Sequence, residues 1–174
     1  LTRGQLGDGY PGTRAETGTR AGGTAVATLR ENPYGRFVFE VDLGTGDPGG
    51  VDGGFEEVGP IAAGIDVIEY RAGNDKLNTF RKLPGLHRVH DVTLKRGVIG
   101  STTLFTWFRA GTLGQPDRRD VTIRLLNEDH TDVVFTWRLL RAWPVKYVVP
   151  SLSATSSDVA IEELVLTCEG IDVE

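Results

Sequence analysis

Methionine is absent from the 174-residue chain, and cysteine is reduced to Cys168. A single thiol excludes an intramolecular disulfide framework and most cysteine-based metal sites. With a bulky Leu1 where an initiator Met would not normally be removed, the sequence is expected to start inside the encoded protein or at an unusual start codon. No apolar run reaches the roughly 18 residues of a membrane helix, and no basic-then-apolar start suggests a signal peptide. A net charge of −5 and a pI near 5.3 argue against duplex binding through a basic patch. The GxSxG, HExxH and P-loop patterns are missing as well.

What is present is a globular composition, 39% hydrophobic and 25% charged. Its length suits one domain that buries roughly 65–70% of the surface of the unfolded chain. Glycine is abundant, with 23 residues biased toward the first third. Residues 1–33 carry many of them, with single apolar residues (Leu6, Tyr10, Val26, Leu29) and no sustained period. Such a segment cannot build a core of its own, so it reads as an N-terminal arm, either flexible or ordered on a partner. Residues 34–174 form the expected domain.

From Tyr34 onward the pattern is β. In Arg36–Asp42, Phe37, Phe39 and Val41 share one face while Arg36, Glu40 and Asp42 take the other. Further strands are expected over Ile61–Arg71 and Thr79–Leu83, joined by the polar stretch Ala72–Asn78, and over Arg88–Val98 through His90, Val92, Leu94 and Arg96. Asp120–Leu126 and Asp132–Trp143 follow, with Val133, Phe135, Trp137 and Leu139 on one face. After Pro144, Val145–Val149 is either a bulged continuation or an edge strand. A last strand runs from Val159 to Glu169, with Leu164, Leu166 and Cys168 pointing one way. One helix is expected: Gly100-Ser101-Thr102 offers N-cap hydroxyls, Leu104, Trp107 and Phe108 form its core-anchoring stripe, and Gly111 supplies the stop. Roughly seven strands and one flanking helix make a mainly β, antiparallel sandwich or barrel.

The motifs that suggest chemistry fail on context. Gly44-Thr45-Gly46-Asp47-Pro48-Gly49 matches GxGxxG, but Gly50-Val51-Asp52-Gly53-Gly54 cannot open the helix a dinucleotide needs. Asp42, Asp47, Asp52, Glu56 and Glu57 lack calcium-loop spacing. His87 and His90 fall on opposite sides of an extended segment, and Cys168 reads as a buried structural thiol. No catalytic residue, metal site or cofactor site is assigned. Strands with few edge-protecting devices point instead to self-assembly.

From Asn32 to Asp172 the order of segments resembles the tube proteins of contractile phage tails and contractile injection systems. The resemblance rests on Asn32-Pro33-Tyr34, Gly54-Phe55-Glu56-Glu57-Val58, Ile68-Glu69-Tyr70-Arg71-Ala72-Gly73 and Arg81-Lys82-Leu83-Pro84-Gly85. It continues in Val92-Thr93-Leu94-Lys95-Arg96-Gly97, Leu104-Phe105-Trp107-Phe108, Arg141-Ala142-Trp143-Pro144-Val145-Lys146 and Val159-Ala160-Ile161-Glu162-Glu163-Leu164. It implies two antiparallel sheets curled into a barrel-like sandwich, and a structural role without enzymatic activity. Hexameric rings would stack into a rigid tube inside a contractile sheath, meeting baseplate and spike proteins. The lumen would pass DNA or protein cargo without specific binding, and the tube would be driven through a target envelope on contraction. Assembly would take place in the cytoplasm of the producing cell, in a virion tail or a phage-tail-like particle, without a membrane anchor.

The family's ring-stacking loop maps to Ala72–Lys82, with Asn74, Asp75, Lys76 and Asn78 at a polar tip and Leu77 and Phe80 as apolar anchors. The arm, which typical tube subunits lack, is expected to strap neighbours together. A tube initiator or baseplate adaptor of the same machine, and a monomeric β-sandwich binding module, are the alternatives.

Overall fold

The computed structural model describes residues 33–46, 54–155 and 157–174. Among these, in chain order, are β1 (Phe39–Asp42), β2 (Glu57–Val58), β3 (Ala63–Tyr70), β4 (Arg81–Val89) and β5 (Val92–Gly97). Helix α1 (Thr103–Thr112), β6 (Arg119–Leu126), β7 (Val133–Val148), β8 (Ile161–Thr167) and β9 (Gly170–Val173) complete it. Every strand pairing is antiparallel, and the expected mainly β fold with one helix is what forms. The expected arm, apart from Pro33, lies outside the described residues, as do Asp47 and Asp52.

Hydrogen bonding runs in the order β1-β6-β7-β8-β5-β2, with β9 also on β7 and β3-β4 apart. The first part of β7 pairs with β6 and β9, and its last part pairs with β8. That division makes two layers, β1-β6-β7-β9 and β7-β8-β5-β2, which share one strand. Period-two alternation sends Val41, Val121, Ile123 and Leu139 inward from the first layer, and Val92, Leu94, Leu164 and Leu166 inward from the second. All are buried in one core, each contributing on the order of 1.5–3 kcal/mol.

β7 changes layers through two irregularities. Between Val121↔Leu139 and Arg119↔Ala142 it carries one extra residue, and Arg141 adopts φ 51°. The Arg141 amide, turned out of the ladder, donates to Asp120 Oδ1 at 2.8 Å. Pro144 lacks an amide, and the register shifts again between Pro144 and Lys146. The stretch after Pro144 is therefore a bulged continuation of the same strand.

Helix α1 buries Leu104 and Trp107 in the core, with Phe108 half-buried against it. The Trp107 indole donates to the Asp117 carbonyl at 2.7 Å, and the Arg119 guanidinium lies 4.8 Å over its ring. Thr102 is the N-cap residue without a side-chain capping bond. Gly111 falls inside the helix; the left-handed residue beyond its end is Gly114, at φ 78°.

Inward alternation also carries charge. Arg96 follows Val92 and Leu94 on β5, Glu162 precedes Leu164 and Leu166 on β8, and the two are register partners. Arg96 Nε meets Glu162 Oε1 at 2.7 Å, with side-chain exposures of 0% and 4%. The Tyr147 hydroxyl from β7 donates to the other carboxylate oxygen, and the rings of Phe105 and Phe108 pack around Tyr147.

Several expectations are corrected. Phe37 is 71% exposed, because β1 begins only at Phe39 and Val38 turns inward before it. The strand expected at Thr79–Leu83 is Arg81–Val89, passing through Pro84 and Gly85; the next begins at Val92, leaving His90 exposed between them. The last strand breaks after Thr167, and Gly170–Val173 returns as a separate strand on β7. With the two-residue β2, nine strands replace the expected seven among the described residues.

Two outcomes follow from the buried triad. Arg96→Met leaves a buried carboxylate without its cation and is expected to destabilise by about 3–5 kcal/mol, whereas Arg96→Met with Glu162→Leu loses far less, as read by chemical denaturation. The bond to Glu162, aided by burial, raises the Tyr147 hydroxyl above its ordinary value of 10.0. A raised folded-state value means this contribution is complete below about pH 10 and is lost as pH rises past it. Tyr147→Phe should remove that alkaline decline from the stability–pH curve.

Candidate assembly surface

β3 and β4 pair only with each other among the described residues, and their hairpin joins the body at its base, where the His90 amide donates to the Ala62 carbonyl at 2.9 Å. Pro84 is tolerated because this two-stranded ribbon has open edges. Gly85 is required at the bulge opposite Asp66, since a Cβ there would sit 2.8 Å from the Asp66 carbonyl oxygen. Arg71 clips the tip: its Nε donates to the Leu77 carbonyl at 3.2 Å, and Nη2 to the Asp75 carbonyl at 3.1 Å and Asn78 Oδ1 at 3.0 Å. Asp75 accepts the Ala72 amide at 3.1 Å and pairs with Arg81 at 3.4 Å.

The tip residues expected to make contacts thus divide by role. Asp75 and Asn78 hold the turn, while Asn74, Lys76, Leu77 and Phe80 are exposed. Leu77 is 73% and Phe80 59% exposed. Sequence reasoning stopped at the tip and missed the strands behind it, where Ile65, Val67, Ile68, Tyr70, Leu83 and Leu86 are exposed too. The available signal was Ile65-Asp66-Val67-Ile68-Glu69-Tyr70, which has apolar residues on both strand faces and so no solvent face. A lone hairpin is marginal in water, and this much exposed apolar surface marks a contact region. The hairpin is also basic: Arg71, Lys76, Arg81, Lys82 and Arg88 stand against Asp66, Glu69 and Asp75, in a chain of net charge −5.

Two strand edges form a second surface. Among the described residues β1 bonds only to β6, and β9 only to β7. Thr136 and Glu174 exchange amide bonds in both directions at 2.9 Å, so the alternate amides of Ile171 and Val173 point away from β7 to the open side. The Leu126 amide donates to the Val38 carbonyl at 3.0 Å, which directs the amides of Phe39 and Val41 outward in the same way.

The motifs with catalytic overtones come to nothing chemical. The amides of Gly44, Thr45 and Gly46 converge as a phosphate loop would, but all donate to Asp42 Oδ1, at 2.9, 3.0 and 3.1 Å. The chain's own carboxylate fills that nest. Glu57 bonds Lys95 at 3.1 Å, His87 lies exposed opposite Ile65, and the described residues include no metal-competent group of three side chains. Burial pushes the thiol of half-buried Cys168 up, away from reactivity.

A sandwich whose outward chemistry consists of open strand edges and an apolar hairpin, not a cleft, is an assembly subunit. Residues 35–172 match the family described as T4-like virus tail tube protein gp19, and the chain belongs to that family. Among solved structures it is similar to a chain of the PVC extracellular contractile injection system sheath–tube complex in its extended state. The identity is 32%, covering 83% of this chain and 93% of that one, with a TM-score of 0.72. A chain of the anti-feeding prophage tube-terminating cap is 28% identical over 84% of this chain and 94% of that one, also at 0.72. A type six secretion system protein, 14% identical with TM-score 0.52 over 79% and 82%, shares the fold. No curated protein matches the chain. The protein is a structural tail tube protein and not an enzyme, a component of phage-tail-like particles.

Because these hairpin side chains contact little of their own subunit, Leu77→Ser and Phe80→Ser should each shift unfolding stability by less than about 0.5 kcal/mol in dilute monomer. The same variants should weaken self-association in sedimentation measurements.

Proposed function

We propose that this protein forms hexameric rings that stack into the inner tube of a contractile injection machine. The observation that carries the reading is the pair of open edges on one four-stranded layer. Pairing β9 of one copy with β1 of the next satisfies the outward amides of Ile171, Val173, Phe39 and Val41, and repetition around an axis closes the ring. The core side of that layer then faces outward, and its polar side lines the channel. On that side Glu40 stands opposite Arg124, and Arg138 opposite Asp172. Charge balanced across neighbouring strands gives a cargo little to bind, as a conduit requires. Rings stack through the hairpin, a heterologous contact that does not close and so produces a filament. Sheath and baseplate proteins are the proposed partners, supported by the sheath–tube complex in which the PVC relative occurs, and sheath contraction drives the tube forward.

A second reading, a specialised terminal ring of the same machine, is favoured by the comparable likeness to the tube-terminating cap chain. Copy number per particle separates the two, since a main tube protein should rival the sheath in abundance. The edge contact is tested by Val173→Pro, which removes an outward amide and spares the Thr136–Glu174 bonds. The variant should remain folded by circular dichroism yet form no rings under negative-stain microscopy, where the parent chain does. A parent chain that stays monomeric at every concentration, with sheath and baseplate proteins present, would overturn the reading.

A further inference from the structure

Residues 1–32 lie outside the described residues and join them at Pro33, three positions before Arg36. Arg36 stands on the rim of an apolar slot of about 270 Å³. Phe39, Ile123 and Trp137 wall it from the inward face of the first layer, and Val58 of β2 and the following Ile61 wall it from the second. Phe39, Val58, Ile61 and Trp137 are only partly buried and pack against the core, so the slot is a continuation of that core left uncovered. Its size matches the liquid volume of about nine waters, and a water settles in a cavity only where it finds two to four polar partners. Here they are scarce: the amide of Gly59 on the wall is already donated to the Thr93 carbonyl at 2.7 Å, and Arg36 is the one charged residue of the lining. An apolar occupant is therefore favoured over solvent.

The segment that joins the fold at this rim has the matching chemistry. Asn32-Pro33-Tyr34-Gly35 places Asn, Pro and Gly at the first, second and fourth positions where a type I turn favours them. Gly35 has no room for a Cβ beneath the Phe37 ring, and the chain bends at Arg36–Phe37. A reversal across these four residues sets Glu31 opposite Arg36, which makes no ion pair among the described residues. Leu29, two positions further out, falls on the same side of an extended segment as Glu31. Carboxylate and aliphatic side chain thus come in the same order as the guanidinium and the slot behind it. The link from Leu29 to Arg36 is short, and a short tether holds its end at a millimolar effective concentration, well above any second copy in dilute solution.

We propose that the slot between β1 and β2 is the docking site for the arm of the same chain, with Leu29 seated against Trp137, Val58 and Ile61 and with Glu31 facing Arg36. The arm then covers the core side of β1 and leaves the outward amides of Phe39 and Val41 available at the strand's open edge. The assignment does not depend on the ring reading.

In full-length chain carrying Cys168→Ser, Leu29→Cys with Val58→Cys should oxidise to a faster-moving single chain in non-reducing electrophoresis. Leu6→Cys with Val58→Cys is the reference: its longer loop by itself slows closure only about twofold. Docking should make the Leu29 pair close at least about tenfold faster than the Leu6 pair. Glu31→Lys should slow closure of the Leu29 pair, and adding Arg36→Glu should restore it. Without any engineered cysteine, Leu29→Asp should raise acrylamide quenching of tryptophan fluorescence, and that rise should vanish in chain carrying Trp137→Phe. Closure of the two pairs within about twofold of each other would overturn the docking site. So would quenching that Leu29→Asp leaves unchanged, or a rise that persists with Trp137→Phe. Disulfide-linked dimers in place of the faster band would assign the slot to a neighbour's arm and overturn the same-chain assignment.

Discussion

A strand can serve two sheets only if its backbone turns partway along, and the sixteen-residue β7 does so between Leu140 and Lys146. The left-handed Arg141 and the amide-less Pro144 would each weaken a regular ladder. Placed together, they end one set of pairings and begin another. Everything else is arranged about that bend: β6 and β9 on one side of it, β8 and β5 on the other, and α1 packed along it. The disrupted groups are satisfied locally, with the Asp120 carboxylate taking the Arg141 amide and Glu169 bonding the Arg141 guanidinium at 2.8 Å. The bulge is therefore a hydrogen-bonded corner.

The same bend brings Tyr147 over the inward face of β8, where it completes the contacts of Glu162. A buried ion pair is a weak source of net stability, since desolvation offsets much of the attraction. Its effect here is on alignment. A one-residue slip of β5 against β8 would separate Arg96 from Glu162 and turn one of them outward, leaving a charge in the core. An all-aliphatic face would resist such a slip less strongly. For the edge-to-edge pairing proposed above, a fixed strand register is the more useful property.

The proposed assembly draws on groups that a single copy does not satisfy. The amides of Phe39, Val41, Ile171 and Val173 face outward among the described residues, and the hairpin holds its apolar side chains in solvent. An enzyme concentrates unusual chemistry in a cleft, whereas here the converging amides of Gly44, Thr45 and Gly46 are occupied by Asp42 of the same chain. The internal contacts of the hairpin tip are complete, through Arg71 and Asp75, so its shape is set before any partner arrives. Preorganisation of that kind reduces the ordering penalty of association.

The sequence by itself determined the class of fold, the tail tube family and the emptiness of the catalytic motifs. Alternation in Val92-Leu94-Arg96 and Leu164-Leu166, the helical spacing of Leu104 and Trp107, and the failed context of GxGxxG are local properties of the chain, and periodicity reports them directly. It did not determine where β4 ends and β5 begins, because Pro84 and Gly85 read as breakers; only an unflanked hairpin with open edges tolerates both within a strand. Nor did it distinguish Arg96 and Glu162 from surface charges, since their pairing spans sixty-six positions and appears only once β5 lies on β8. Helix termination moved from Gly111 to Gly114 because backbone geometry at the helix end, not glycine alone, selects the left-handed residue. Strand edges, and the separation of the β3–β4 hairpin from the two layers, are relations between distant segments. Tertiary structure alone decided them, because which amides remain unbonded is fixed only when every strand has found its neighbour.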